Sequence, residues 1–506
     1  MLSNSAVLSF LQNFSDNPNL DSLVSTFQRT LWHFVLLFSV GIVLCFWKVD
    51  SKVSNCDEKV ILALTNIVKL LFLAIIVGGV IVRLQLLFLP ITYDEAFTYN
   101  QYVSQPLSTV LSSYTYPNNQ IFHTILAKLS TLIFGISHWA LRLPSFLFSV
   151  GSIILAFQIG RSTNTKLALM FSFILAFMPI FIDYGALARG YSIVLFLGLL
   201  LWKMTIDWQL NNRKERVGGA SQLKFIGIGA LAIWTIPVAI LPVAIVLLQL
   251  RAAISSRLII KLGLSTGLVS IFLYAPVILL FGWEEIVSYP SMPQASFEML
   301  FSHHIWHGLK HLYYVFIMEK EVLLLFVLLA FYAVVSKLSI LKEFIPIAIV
   351  IIGFVISTRI DPPARVWLII MPFIYFPIVH FYATQVIQQK SNLVAIAFIV
   401  VFSAAAILTF QVIHLSVMRD FRMVAEKEAV LWMQENIPKG RLQADFPSDA
   451  GILWYQSFYE LPSQNQEGTS YTFHIKIDNE AIQGKVVHET ADYFLLEITD
   501  FESIKN

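Results

Sequence analysis

Long apolar segments follow one another along most of the chain, and they constrain its fold more than any other feature. Several approach the roughly 20 residues that an α-helix needs to cross a bilayer. In lipid a segment must satisfy its own backbone hydrogen bonds, so a single apolar stretch crosses as a helix. Of the 506 residues, 57% are hydrophobic and 13% are charged, about half the charged share of a soluble domain. The sequence therefore predicts an α-helical polytopic membrane protein with about 11–13 transmembrane helices.

The spans are predicted from apolar length alone. The segment at 225–250 is too long for one helix and contains Pro237 and Pro242, which predicts two short helices meeting at a bend. The predicted spans are 31–46, 60–89, 140–160, 167–182, 191–206, 225–250, 258–281, 321–335, 344–357, 366–383 and 393–416.

Lys and Arg residues cluster in alternate short loops, and cytoplasmic loops are the ones that carry such an excess. Placing the clusters in the cytoplasm leaves two long loops outside it, at 91–139 and 282–320. The N-terminal segment 1–30 and the chain after 417 also fall outside. We therefore predict a membrane domain at 31–417 and an extracytoplasmic module at 418–506. The module is polar, with a helix near 423–436 and alternating runs, FHIKI and YFLLEI, that predict the strands of a small α/β unit.

Two adjacent carboxylates, Asp94 and Glu95, lie in the stretch ITYDEAFTYNQY, immediately after a long apolar run ends at Pro90. A carboxylate at the edge of a bilayer is partly desolvated, which favours a basic, reactive group. Such a group can take a proton from a hydroxyl or amine while a lipid-borne substrate lies alongside. The alternative is a solvated acid pair that caps a short helix.

Arginines recur close to the predicted outer ends of spans, at Arg142, Arg189 and Arg365. An arginine near the hydrocarbon is costly unless it pairs with an anion, and its planar fork suits a phosphate. Together with the acid pair, these residues favour binding of an anionic lipid headgroup. Each could instead be an interfacial anchor or the partner of an acid such as Asp183 or Asp361.

A series of stretches, in their order and spacing, resembles the integral-membrane glycosyltransferases of the C superfamily (GT-C). The similar group contains the protein O-mannosyltransferases and the lipid A aminoarabinose transferases. The stretches are ITYDEAFTYNQY, PNNQIFHTILAKLSTLIFG, HWALRLPSFLFSVGSI, FIDYGALARGYSIVLF and, much later, PPARVWLIIMPF.

The resemblance implies a sugar donor on a polyprenyl phosphate and an inverting transfer at the outer face of a membrane, most simply the bacterial inner membrane. The acceptor would be a hydroxyl or amine on a lipid, a glycan or a protein. Asp94 then matches the catalytic base and Glu95 its acidic neighbour. Arg142, Arg189, Tyr191 and Arg365 match residues near the lipid phosphate, although Val366 stands where members have a tyrosine after the last arginine.

Histidines supply further candidates for acceptor or metal binding. His123 follows the PNNQ stretch, and His303, His307 and His311 recur every four residues in SHHIWHGLKHLYY. On a helix this spacing puts the three side chains on one face, where they could hold a divalent metal such as Zn²⁺, with Mg²⁺ or Mn²⁺ as alternatives. The same pattern is also typical of a wet interfacial helix in an aromatic belt.

Two other readings stay open at this point. A transporter or lipid flippase would also have about twelve spans, but it should show paired repeats and polar groups at mid-membrane. The predicted spans here are mostly apolar, and no repeat is evident. A catalytically inactive relative that binds lipid or a partner is the third reading. None of the three predicts a nucleic-acid partner.

Overall fold

The computed structural model describes residues 58–114, 118–211, 217–252, 254–283, 286, 341–358, 364–386, 422–438, 441–459, 470–475, 485–490 and 492–497. The predicted spans at 31–46, 321–335 and 393–416 lie outside these residues.

The structure is mostly helical. In its membrane part the helices are α1 (Glu58–Leu87), α2 (Tyr93–Thr98), α3 (Leu107–Ser112), α4 (Ile121–Phe134), α5 (His138–Arg161), α6 (Thr165–Phe177), α7 (Pro179–Ala186), α8 (Tyr191–Asn211), α9 (Gly219–Thr235), α10 (Ile240–Gln249), α11 (Ser256–Leu273), α12 (Ala275–Phe281), α13 (Leu341–Thr358), α14 (Ala364–Trp367) and α15 (Met371–Phe381). A π-helical turn at Tyr99–Val103 continues α2, and another at Tyr382–Val386 continues α15.

Four of the described helices, α1, α5, α8 and α11, contain segments long and apolar enough to cross a membrane. Helices α6 and α7 form a fifth candidate that is bent by 58°. The bend explains a difference from the sequence, which predicted one continuous span at 167–182. Pro179 has no N–H to continue the helix, and Met178 before it is extended (φ −72°, ψ 126°), so α6 ends there.

The broken end of α6 is satisfied by Arg83 of α1, which sequence reasoning missed. The Arg83 guanidinium is fully buried and donates to three main-chain carbonyls around the break, at 2.7 Å to Leu175 O, 2.7 Å to Ala176 O and 3.2 Å to Phe181 O. Its Nε donates to Ser149 Oγ of α5 at 2.8 Å. This arginine of α1 thus contacts three other helices, α5, α6 and α7, at the point where α6 has lost its own hydrogen bonds.

The predicted bend at 225–250 is present, since α9 ends at Thr235, Ile236 is extended, and a 3₁₀ turn at Pro237–Ala239 leads into α10. The predicted span at 258–281 is divided instead. A helix end at Tyr274 separates α11 from α12, where Pro276 occupies the first turn. The Tyr274 hydroxyl donates to the carbonyls of Ile233 and Trp234 at the end of α9, so both helix ends meet.

The C-terminal residues form a four-stranded sheet with two helices. The helices are α16 (Val424–Asn436) and α17 (Asp449–Phe458), and the strands are β1 (Arg441–Ala444), β2 (Ser470–Ile475), β3 (Lys485–Glu489) and β4 (Tyr493–Glu497). The strand order is β1-β2-β4-β3, with β1 parallel to β2 and the other pairs antiparallel. The runs FHIKI and YFLLEI do supply strands, as predicted.

The C-terminal unit shares a hydrophobic core with the segment that carries the two acids. Tyr99 packs edge-to-face on the buried Trp454, with 4.6 Å between ring centroids. Hydrogen bonds hold the extended segment just before α2. The Ile91 N–H donates to Tyr455 Oη at 3.2 Å, and the Met423 N–H donates to Ile91 O at 3.0 Å. Arg422 donates to Pro90 O at 2.8 Å. The position of α2 is therefore set from both the membrane helices and the C-terminal unit.

Candidate active site

Asp94 and Glu95 are neighbours at the start of α2, but they lie in opposite environments. Thr92 and Glu95 form a capping box, in which the Thr92 main-chain N–H donates to Glu95 Oε2 at 3.0 Å. This arrangement begins the helix and turns the Glu95 side chain inward. The Asp94 side chain points the other way and is 37% exposed, while that of Glu95 is fully buried.

Glu95 is paired with Arg142 of α5. The Arg142 Nε donates to Glu95 Oε1 and its Nη2 to Oε2, both at 2.7 Å, which is a two-point pairing. The Ala188 N–H donates to Oε1 at 2.7 Å. Burial by itself would raise the pKa of Glu95, but the charge and hydrogen bonds of Arg142 outweigh it and hold that pKa well below its ordinary value.

The remaining N–H groups of Arg142 are also occupied. An arginine has five such donors, and those not used by Glu95 reach the carbonyl oxygens of Leu86, Leu87, Leu89 and Pro90 at the end of α1. The predicted contact of Arg142 with a lipid phosphate does not fit this arrangement, because no donor is left for a ligand. Glu95, predicted as the acidic neighbour of the base, is likewise enclosed, because its oxygens accept from Thr92, Arg142 and Ala188. Both residues belong to a buried pair next to Asp94.

Arg189 is the charged partner of Asp94, with its Nη1 3.5 Å from Asp94 Oδ2. This nitrogen is buried and has no hydrogen-bond partner among the described residues. The guanidinium also lies over the ring of Tyr191, 5.9 Å from its centroid. A buried guanidinium with an unused donor beside a partly exposed carboxylate is a site prepared for an anion.

Arg365 joins this group from a distant part of the sequence. It is half-buried in α14 and hydrogen-bonds the Tyr191 side chain, with Asp94 and Tyr184 close enough to interact electrostatically. Val366, which replaces the tyrosine expected after this arginine, is buried. Tyr191 therefore supplies the phenol beside Arg365. The structure brings Asp94, Arg189, Tyr191 and Arg365 together, as the resemblance implied.

The PNNQ stretch supports the same group. Asn118 donates from its Nδ2 to Asp94 Oδ1 at 3.3 Å, and Gln120 Oε1 accepts from the Gly190 N–H. A Cβ at position 190 would lie 2.6 Å from Thr235 Cγ2, so glycine allows the main chain between Arg189 and Tyr191 to pass close to Thr235. The sequence showed where this stretch lies but not that it orients the acid and the arginine.

His123 does not reach the exposed side of the site. It is fully buried in α4, and neither ring nitrogen has a hydrogen-bond partner among the described residues. Burial, assisted by the charge of Arg189, lowers the pKa of His123 to about 3, so the ring is neutral. The predicted acceptor or metal role of His123 does not fit this position. His303, His307 and His311 lie outside the described residues, and within those residues no group of three potential metal ligands occurs.

Replacing Asn118 with alanine tests its orienting role. If Asp94 is the base of the sugar transfer that the resemblance implies, kcat should fall about 10- to 100-fold, because a misplaced catalytic group loses that order of rate. The melting temperature should change little, since Asn118 is only partly buried. Initial rates at saturating substrates and a thermal melt measure the two. A fall confined to KM, with kcat unchanged, would contradict the assignment.

Comparison with known proteins identifies a similar family and a similar fold. The family of dolichyl-phosphate-mannose-protein mannosyltransferases matches residues 119–280. The structure is similar to ArnT from Cupriavidus metallidurans in its apo state, with a TM-score of 0.54, 12% identity, and coverage of 85% of this chain and 97% of ArnT. The chain has a GT-C fold. The same protein bound to undecaprenyl phosphate gives a TM-score of 0.56 at 12% identity, with the same coverage.

A weaker likeness, with a TM-score of 0.46 and 13% identity, is to the Archaeoglobus fulgidus oligosaccharyltransferase in complex with Zn and sulfate, over 76% of this chain and 61% of that one. No curated protein matches the chain. The GT-C fold and the family match confirm the predicted fold class, a helical membrane protein with a small C-terminal sheet. They also confirm the resemblance to GT-C glycosyltransferases and agree with the predicted enzyme class, a lipid-linked-sugar glycosyltransferase.

Proposed function

We propose that this GT-C protein transfers a sugar, with inversion, from a polyprenyl-phosphate donor to a hydroxyl or amine of a lipid, glycan or protein acceptor. The observation that carries the proposal is the pairing of a partly exposed Asp94 carboxylate with a buried Arg189, whose Nη1 has no hydrogen-bond partner in the described part of the chain. One group can take a proton and the other can hold a phosphate. Their separation of 3.5 Å supports assigning both functions to one reacting centre.

Asp94 acts as the general base in this proposal. Its carboxylate takes the acceptor proton as the acceptor oxygen or nitrogen attacks the anomeric carbon from the face opposite the lipid phosphate. The bond between that carbon and the phosphate oxygen breaks, and its electron pair leaves with the lipid phosphate. Asn118 donates to one oxygen of Asp94, which leaves the other directed toward Arg189 and the incoming acceptor.

Arg189, Arg365 and Tyr191 hold the leaving phosphate. A lipid phosphate is a good leaving group, so electrostatic stabilisation of its charge is the main requirement. Arg189 pairs with Asp94 at 3.5 Å, longer than a charge-assisted hydrogen bond. A donor phosphate would compete for this guanidinium and release Asp94 for proton transfer. The similarity to ArnT, which has been seen with undecaprenyl phosphate, supports a polyprenyl carrier.

Glu95 and Arg142 support the site without touching the substrates. Glu95 lies on α2 next to Asp94 and accepts a hydrogen bond from Ala188, the residue before Arg189. One buried carboxylate therefore fixes the positions of both reacting groups. We place the site on the extracytoplasmic side of a bacterial inner membrane, in a membrane domain at 31–417 beside a module at 418–506. The Lys and Arg distribution among the short loops supports this orientation.

Substitution of Arg189 tests donor binding directly. We expect Arg189→Ala to raise KM for an undecaprenyl-phosphate sugar about 10- to 100-fold, since a hydrogen bond to a charged group contributes about 1.5–3 kcal/mol. Arg189→Lys should retain only part of the donor affinity, because the point charge of a lysine cannot reproduce the planar fork of the guanidinium. Steady-state kinetics in detergent, with the two substrates varied separately, measures the effect.

The matched control is Lys203→Ala, which removes a basic residue from an ion pair with Asp207 on the more exposed surface of α8. Surface pairs of this kind contribute little, so this variant should keep the wild-type donor KM. An Arg189 effect confined to the acceptor KM would refute the assignment of the phosphate site.

A further inference from the structure

An exposed aromatic side chain lies on the C-terminal unit, next to the proposed base. Phe446 is 76% exposed, and its ring meets Tyr93 of α2 nearly edge-on, with 5.3 Å between centroids and 82° between planes. Tyr93 precedes Asp94 in sequence. Phe446 is thus an apolar ring open to solvent beside the proposed base, where a ligand that covered it would gain burial energy.

The aromatic surface extends along α2. Tyr93 and Phe97 are one helical turn apart, and their rings lie 6.0 Å apart with 30° between planes. Asp94 lies between them in sequence and three residues before Phe97, so it borders the same helix face. The three rings, Tyr93, Phe97 and Phe446, lie next to one another and are called here the aromatic platform; Phe446 is its exposed member and the proposed base lies at its edge.

The turn that carries Phe446 is well anchored. The main-chain N–H groups of Ser448 and Asp449 both donate to Asp445 O, at 2.9 and 3.1 Å. The Ser448 hydroxyl donates to Glu426 Oε1 of α16 at 2.6 Å in a buried contact. Such a turn presents Phe446 at a fixed place, which reduces the ordering cost of binding.

The charge around the platform selects its occupant. Asp94 is partly exposed at its edge, and Asp445 directly precedes Phe446 and is exposed. Carboxylates accept hydrogen bonds from hydroxyl groups. An aromatic face bordered by carboxylates suits a pyranose ring, which offers C–H groups on one face and hydroxyls at its rim.

We propose that the platform of Tyr93, Phe97 and Phe446 is an acceptor subsite that stacks against the pyranose ring of a glycan. This inference rests on the proposed function and narrows the acceptor to a saccharide, with the C-terminal unit contributing directly to its recognition. A ring held on this surface lies beside Asp94, where one of its hydroxyls can lose a proton.

Saturation-transfer NMR on the full-length detergent-solubilised protein tests the subsite without any turnover. The probes are methyl α-D-mannopyranoside, methyl β-D-glucopyranoside and N-acetylglucosamine. We expect at least one pyranoside to receive saturation from the wild type. Phe446→Ala and Phe446→Leu should weaken its binding about tenfold, while Phe446→Trp should retain it, because stacking needs an aromatic face. Val486→Ala, which truncates an exposed apolar residue on β3, is the control and should bind as the wild type.

Three outcomes would overturn the subsite: no pyranoside binds, binding is unchanged in Phe446→Ala, or Phe446→Leu binds as well as the wild type. If Phe446→Ala instead loses association with liposomes and keeps pyranoside binding, the ring is a membrane anchor and the inference is wrong. Pyranoside binding does not require Asp94 to act as a base. A failure of the proposed function would therefore appear in the Asp94 variant and leave this experiment unaffected.

Discussion

Asparagine at position 94 is expected to lower the rate of sugar transfer about 10²- to 10⁴-fold, the range usual for loss of a general base, with normal insertion and stability. The side chain is 37% exposed and makes no packing contribution comparable to that of Glu95. Asparagine has the same shape and retains an oxygen that can accept from Asn118 Nδ2. Only the ability to take a proton and the charge opposite Arg189 are removed.

Single-turnover transfer from a synthetic undecaprenyl-phosphate sugar measures this effect, with donor binding followed separately. Donor binding should be retained or become tighter, because Arg189 no longer has Asp94 as a competing partner. Asp207→Asn is the control, since it removes an exposed carboxylate from α8 and should leave transfer unchanged. Full transfer activity in the Asp94 variant would show that another group is the base.

The sequence was a good guide to the helices, because their positions depend on local patterns. Apolar length located α5 and α8 to within a few residues, and the proline pair predicted the bend after α9. The grouping of Asp94 with Arg189 and Arg365 came from the family resemblance. Spacing along the chain could not have supplied it, since Arg365 approaches Asp94 only after many helices have packed.

Sequence reasoning was less successful in deciding which anion each arginine meets. Arg142 was correctly predicted to need an anion, but that anion is the buried Glu95 rather than a lipid phosphate. An arginine near the hydrocarbon needs an anion whether that anion is a side chain of the protein or a lipid phosphate. Composition therefore cannot distinguish these two partners. Arg83, within a long apolar helix, was missed, although a lone charge in such a run indicates a buried partner. Its partners are main-chain carbonyls that become available only because Pro179 breaks another helix.

Breaking the Glu95–Arg142 pair is expected to destabilise the fold by about 3–5 kcal/mol, which is the usual cost of leaving one buried charge without its partner. Glu95→Gln leaves the buried Arg142 charge without a partner, and Arg142→Met likewise leaves the buried Glu95 carboxylate without one. Both should lower the melting temperature and the yield of monodisperse protein, measured by fluorescence-detected size exclusion after heating. Because the pair also holds Ala188 beside Arg189, residual activity should be low in whatever folds.

The double variant, Glu95→Gln with Arg142→Met, separates this role from phosphate binding. If the two residues act as a buried pair, the double variant should lose clearly less stability than the two single variants added together, because neither charge is then left without a partner. It should also recover part of the folded protein. If Arg142 served the donor phosphate instead, Arg142→Met would fold normally and lose only donor binding, and the two substitutions would be additive. The occupied donors of Arg142 lead us to expect the first result.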